Sequence, residues 1–232
     1  MNSKIKIIDS IKSVPLSGVL LYLNIYNINS IKSYLNSEKV YATFDGISTV
    51  LLWNLFKHSK VVRLAPDFDS YFGEFLKGRR IHIIGSDKKN VESFVQTHSK
   101  NYNIISYLDG YQTTADYITH LKKSLKDGDI VLLGMGSPLQ EEIGIELYER
   151  FGHSLFVTCG AFISQYSQSG IYYPELISKL HLRWLYRFVK EGTWIRIPAL
   201  FIGITKFVKE LLRSNFVILS LLNDSGIEKK SK

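Results

Sequence analysis

Two stretches of the chain carry residue types whose spacing could do chemistry. In KVYATFDGISTVLLWNL, residues 39–55, Asp45 follows a strand-like run and precedes Gly46, which sets a carboxylate at a strand end where a helix begins. A carboxylate fixed beside a cleft can serve as general base toward an acceptor hydroxyl. The same Asp-Gly pair is also an ordinary turn and helix cap, so the residue types alone leave both roles open. In DIVLLGMGSPLQEE, residues 129–142, an apolar run of the kind a parallel sheet buries on both faces leads through Gly134 and Gly136 to Pro138, which suits a first helical turn. Free N–H groups and the positive dipole end at such a helix start favour a diphosphate or another anion, although many βα junctions use glycine only to turn.

Other reactive groups point less clearly to a site. Asp67-Phe68-Asp69 has the D-x-D spacing with which carboxylate oxygens can hold a divalent cation, but it follows Pro66 rather than a strand, and no metal is expected. The six histidines show no ligand-like pairing. Cys159, the single cysteine, sits beside Gly160 and reads as a small packed thiol. Ser137 and Ser164 lack the strand–turn–helix setting of a nucleophile elbow.

The elements that must position these residues alternate along the chain. Strand-like runs occur at Gly18–Leu23, Lys39–Thr43, Lys60–Leu64, Arg80–Ile84, Asn103–Tyr107, Asp129–Leu133 and Ser154–Thr158. Between them lie helical patterns, capped by Asp87 before VESFVQTHSK and by Thr114 before ADYITHLKKSLKDG, or starting at Gln140 before EEIGIELYERFG. The alternation predicts an α/β fold, a mainly parallel, Rossmann-like sheet with helices on both faces. Ligands in such folds bind outside the carboxyl ends of the strands, so IIGS at 83–86, YLDGYQ at 107–112, GMGSP and TCGAF at 158–162 would share one rim.

After about Ser178 strand-like runs stop and basic residues interleave with Trp, Tyr, Phe and Leu. The expected organisation is an α/β domain over 1–178, a basic amphipathic helical appendage over 179–222 and a polar tail over 223–232. Lys179, Arg183, Arg187 and Lys190 fall on one side of a helix. That side is either a solvated face of a packed helix or a surface for anionic lipid or a diphosphate.

Composition bounds the function. The chain has 232 residues, 45% hydrophobic and 13% aromatic, too apolar for disorder, and its net charge of +8 calls for an acidic partner such as nucleic acid, anionic lipid or a phosphorylated substrate. One cysteine excludes an intrachain disulfide and fits a reducing compartment. MNSKIKIIDS lacks the apolar core of a signal peptide, and LFIGIT and FVILSLL are too short to span a bilayer, so a cytoplasmic location is expected.

Taken in order, LN at 23–24, DGIS at 45–48, the Arg63 segment, IIGS, YLDGYQ, GMGSPLQEE, TCGAF and LRWLYR at 182–187 resemble the WecG/TagA/CpsF glycosyltransferase family over roughly Leu16 to Arg196. The most specific elements are G-x-G-x-P-x-Q-E at 134–141 and W-L-Y-R at 184–187. The resemblance implies transfer, with inversion and without a metal cofactor, of N-acetylmannosamine or a related hexose from a UDP donor to a lipid-linked acceptor sugar. Such transfers build capsule, teichoic acid or related surface polysaccharide. It implies further that the protein sits on the anionic inner membrane surface through its C-terminal appendage and that it can self-associate. Basic residues concentrate late in the chain rather than along the glycine loops, and the sequence carries no RNA-binding or helix-turn-helix signature, so no nucleic-acid partner is expected.

By position, Asp45 matches the family's catalytic aspartate, and Asn24 the asparagine that shapes the sugar pocket. Gln140 and Glu141 match the Q-E pair after the glycine turn, Gln140 as a donor contact. Gly85, Gly134, Gly136 and Gly160, with Arg63, Asp109 and Tyr111 on the matched segments, would approach the substrates. Arg183, Arg187 and Arg196 would offset charge on the departing UDP or on the acceptor diphosphate.

The chain also departs from the family pattern. Ile163 follows GAF where an acidic residue is common, Tyr22 and Leu23 occupy the place of the usual threonine, and Arg183 replaces the usual glutamate before Trp184. These departures admit a different hexose as donor. Two other readings of the chain are a basic nucleic-acid-binding module and a non-catalytic scaffold of a polysaccharide assembly complex.

Overall fold

The computed structural model describes residues 5–57, 61–68, 71–167, 197–219 and 229–230, with isolated positions between 174 and 192. Among the described residues nine strands form one sheet: β1 Ile5–Ile8, β2 Gly18–Leu23, β3 Val40–Phe44, β4 Arg80–Gly85, β5 Asn103–Leu108, β6 Ile130–Gly134, β7 Leu155–Thr158, β8 Phe216–Leu219 and β9 Lys229–Lys230. Their order is β5-β4-β6-β7-β2-β3-β1-β8-β9. Every pairing is parallel except β8 with β9, so the α/β class expected from the alternation is the fold observed.

Because β2, β6 and β7 are buried on both sides, their sequences are continuous apolar runs rather than alternating ones. Helices α1 (Ile28–Ile31), α2 (Ile47–Lys57), α5 (Thr114–Leu121), α6 (Leu139–Phe151) and α8 (Ile197–Arg213) pack on one face. Helices α3 (Phe72–Leu76), α4 (Lys88–His98) and α7 (Phe162–Gln165) cover the other.

Local chemistry sets the helix ends. Asp87 caps α4 by accepting the Asn90 N–H at 2.9 Å, as its position before the apolar pattern indicates. The cap of α5 is Thr113, not Thr114, because Thr113 and Asp116 exchange hydrogen bonds as a capping box. Pro138 is the N-cap of α6, and Gly152 closes that helix in the left-handed region at φ 67°.

Three further expectations change. Residues 61–64 are not a strand. The adjacent β3 is already paired on both edges, by β2 and β1, so Leu64 can only donate one N–H to the Phe44 carbonyl at 3.2 Å. Strands do not end before residue 178: the apolar run at 216–219 joins the sheet as β8, covering the free edge of β1. Within the polar tail, Lys229–Lys230 adds a short antiparallel edge strand.

Segment 197–219 is anchored by aromatic packing. Phe207 of α8 and Trp53 of α2 both meet Phe44, at 6.5 and 4.9 Å between ring centroids, and Trp53 also meets Phe216 at 5.0 Å. Glu210 pairs with Lys32 at 2.6 Å, tying α8 to the end of α1.

Candidate active site

Connections leaving β4 and β6 run in opposite directions, β4 to the outer strand β5 and β6 back to β7, although the two strands are neighbours. Such a switch point opens a crevice at the carboxyl ends of the strands. The two residues that face each other there are Gly85 and Gly134. A Cβ on Gly85 would lie 2.6 Å from the backbone N and O of Gly134, so only glycine lets these strand ends approach so closely. Ser86 follows with φ 59°, its N–H bound to the Gly134 carbonyl at 2.8 Å, and its own carbonyl accepts the Gly110 N–H at 2.8 Å. Asp109 holds this third loop by accepting the Tyr111 N–H at 3.0 Å and the Gln112 amide, which leaves the Tyr111 ring 81% exposed on the rim.

From Gly134 the chain turns into α6 through Gly136, at φ 84° with nothing within 4 Å of where a Cβ would be. Gln140 and Glu141 then turn inward, and Glu141 is completely buried. The Gln140 side-chain carbonyl accepts the Gly160 N–H at 3.0 Å, and its amide donates to Glu141 Oε1 at 3.1 Å. Gln140 therefore ties the GMGSP loop to the TCGAF loop. Burial pushes the Glu141 carboxyl above its usual range, with the Gln140 hydrogen bond opposing. Burial likewise pushes the Cys159 thiol up, which keeps it protonated and unreactive.

The other half of the rim comes from β2 and β3. Asn24 accepts the N–H groups of Tyr26 and Asn27 at 2.9 and 3.1 Å, while its own N–H goes to the Asn27 side chain at 2.9 Å, a reciprocal turn at the end of β2. Asp45 sits at the end of β3 with its N–H on the Leu23 carbonyl at 2.9 Å and its side chain 38% exposed. Arg63 Nη2 lies 3.5 Å from Asp45 Oδ1 and 2.7 Å from Asp67 Oδ2. Beneath them is buried Tyr22, whose hydroxyl is held well above the usual phenol range by burial and then by Asp45, Cys159 and Asp67, with Arg63 opposing. Tyr22 thus stays neutral beside these charges.

The structure brings Asn24, Asp45, Arg63, Gly85, Asp109, Tyr111, Gly134, Gly136, Gln140, Glu141 and Gly160 to one edge of the sheet. Arg183, Arg187 and Arg196 lie outside the described residues, as does Asp69. From β6 to β3 is three strand spacings, roughly 14 Å, room for a nucleotide and a sugar laid across the rim. Sequence reasoning passed over two contributors. Asp67 enters the sequence reading only through its D-x-D run, although its spacing of four from Arg63 permits a pair; Tyr22 enters it only as a strand residue in the place of the usual threonine.

A doubly wound parallel sheet with a glycine-lined crevice at its switch point is the layout of α/β proteins that bind ligands at the strand carboxyl ends. The model of the glycosyl transferase WecG/TagA/CpsF family matches residues 19–218, and the chain belongs to that family of glycosyltransferases. It is similar to the UDP-Gal:alpha-D-GlcNAc-diphosphoundecaprenol beta-1,4-galactosyltransferase of Shigella boydii, 27% identical over 215 residues that cover 86% of this chain and 90% of the relative.

Proposed function

We propose that the protein transfers a hexose from a UDP donor to a sugar carried on a polyprenyl diphosphate, with inversion at the anomeric carbon. The observation that carries this reading is the family match over residues 19–218, supported by a relative whose own name specifies a UDP-galactose donor and a GlcNAc-diphosphoundecaprenol acceptor. That relative makes galactose the first donor to test, beside N-acetylmannosamine and glucose.

The residues divide the reaction as follows. Asp45 takes the proton of the acceptor hydroxyl as its oxygen attacks the anomeric carbon. The bond from that carbon to UDP breaks, and its electron pair stays on the diphosphate oxygen. Backbone around Gly85, Gly134 and Gly136 approaches the diphosphate, whose developing charge is offset by the α6 N-terminus and by Arg183, Arg187 and Arg196. Asn24 and Arg63 orient the sugars beside Asp45. Gln140 keeps the two donor loops in register, and Asp109 and Tyr111 border the crevice. No metal is assigned a role.

The acceptor's lipid places the reaction at a membrane surface, and α8 suits peripheral attachment at a cytoplasmic face. Phe201, Ile202 and Leu212 are exposed along it, at 65, 55 and 65%, with Lys206, Lys209 and Arg213 also exposed. No helix among the described residues is long and apolar enough to cross a membrane. The test is a donor panel of UDP-galactose, UDP-glucose and UDP-N-acetylmannosamine with a synthetic GlcNAc-diphosphate lipid. One donor should give a disaccharide-lipid product; no product from any donor would refute the reading.

A further inference from the structure

Asp67 begins the D-x-D run, to which the proposed reaction gives no task. Its side chain is 6% exposed, against 38% for Asp45, and a carboxylate so buried needs a cation. Arg63 supplies it at 2.7 Å with the same nitrogen that stands 3.5 Å from Asp45.

The backbone that carries Asp67 is fixed at both ends. Leu64 hangs on the Phe44 carbonyl at 3.2 Å, one residue before Asp45. Asp67 turns its N–H back to Ala65 at 2.9 Å. Phe68 is then gripped by aromatic rings of α4, α7 and their flanks, with centroids 4.7 Å away at His98, 4.8 Å at Phe162 and 4.9 Å at Tyr166. The D-x-D run thus uses its middle residue as an anchor and its first as a counter-ion.

We infer that Asp67 is a positioning residue: it holds the Arg63 guanidinium in a close pair with itself and in a looser one with Asp45, so that Asp45 is oriented without being captured. Charge-assisted pairs of guanidinium and carboxylate close to about 2.8 Å when nothing competes. Without the Asp67 charge, Arg63 closes on Asp45 and occupies the oxygen that receives the acceptor proton. The inference rests on the proposed role of Asp45 as base.

The test compares wild type, Asp67→Asn, Asp67→Glu, Arg63→Met and the double variant Asp67→Asn/Arg63→Met in the transfer assay, with a crystal structure of Asp67→Asn. Asp67→Asn should lower kcat by about 100-fold, the scale of a misplaced catalytic group, with KM for the UDP donor changed by less than about threefold. Asp67→Glu should recover most of the rate, and in the Arg63→Met background the Asp67→Asn change should cost less than about twofold, because the effect runs through Arg63. In the crystal, Arg63 should move to hydrogen-bond distance from Asp45. Equal rates for Asp67→Asn and wild type, an undiminished loss in the Arg63→Met background, or an unmoved Arg63 would overturn the inference. A wild type without transfer on any donor would instead refute the functional reading, and the Arg63 position in Asp67→Asn would still decide the contact claimed here. If Asp67→Asn does not fold, the rate of Asp67→Glu decides: recovery close to wild type supports the inference, and a loss as large as that of Arg63→Met overturns it.

Discussion

Replacing Gly85 by alanine tests the close strand approach that builds the crevice. The new methyl would sit 2.6 Å from Gly134 N and O and 2.7 Å from its carbonyl carbon. These are backbone atoms in a paired parallel ladder, so no rotamer change can relieve the contact, and the strand ends must separate. Overpacking of this kind costs about 1–3 kcal/mol, and the rigidity of the neighbour puts Gly85→Ala near the upper end, about 3 kcal/mol. For a chain of this length each kcal/mol lowers the melting temperature by roughly 2–4 °C, so a fall of about 6–12 °C is expected. Gly136→Ala is the control, because its Cβ would meet nothing within 4 Å and only the φ of +84° is unfavourable. That conformation costs about 1 kcal/mol, or roughly 2–4 °C, yet its methyl would enter the rim and should weaken UDP binding about tenfold, or about 1.4 kcal/mol. Thermal melts with UDP calorimetry on both variants separate the effects. Equal melting shifts for the two, or a Gly85→Ala protein as stable as wild type, would refute the reasoning.

Asp129→Asn should destabilise by about 3 kcal/mol without altering UDP affinity, because it breaks a buried pair at the opposite edge of the sheet. There Asp129 holds Arg80 and His82, each at 2.9 Å, and melts with calorimetry read both quantities. Stability should also fall with acidification below about pH 6.5. Burial holds His82, His98 and His120 below their ordinary value of 6.5, so the unfolded chain takes up protons first and folding free energy is lost through that window. Glu141 works in the opposite sense: its raised folded value makes the charged form costly at neutral pH, a cost that fades as pH falls toward 4.5. Glu141→Gln should therefore melt no lower than wild type at pH 8 and lose any advantage by pH 5, as melting curves across that range would show.

Much of the fold was legible because parallel α/β proteins write each buried strand as an apolar run. β2 was located to the residue, and β4 to β7 to within one or two. Strand edges were not legible. Residues 61–64 have the composition of a strand but no edge to pair with, whereas 216–219 became a strand only because β1 offered one. Similarly, type and spacing place the glycines and Asp45 at strand ends, while the role of Asp45 is what the family resemblance implies; Gln140 as a tie between loops depends on the distance from Gly160, which no local pattern encodes. Asp67 shows the same limit: its D-x-D spacing is set aside as a metal site in the sequence, and the fold supplies the arginine it pairs with.

The most direct test of the central claim is the transfer rate of Asp45→Asn beside its UDP affinity. General-base catalysis contributes about 10²- to 10⁴-fold, so the variant should lose at least about 100-fold in kcat while calorimetry shows UDP bound as tightly as by wild type. A variant that transfers sugar at the wild-type rate, or one that loses rate only in proportion to lost UDP binding, would contradict the assignment of Asp45 as the base.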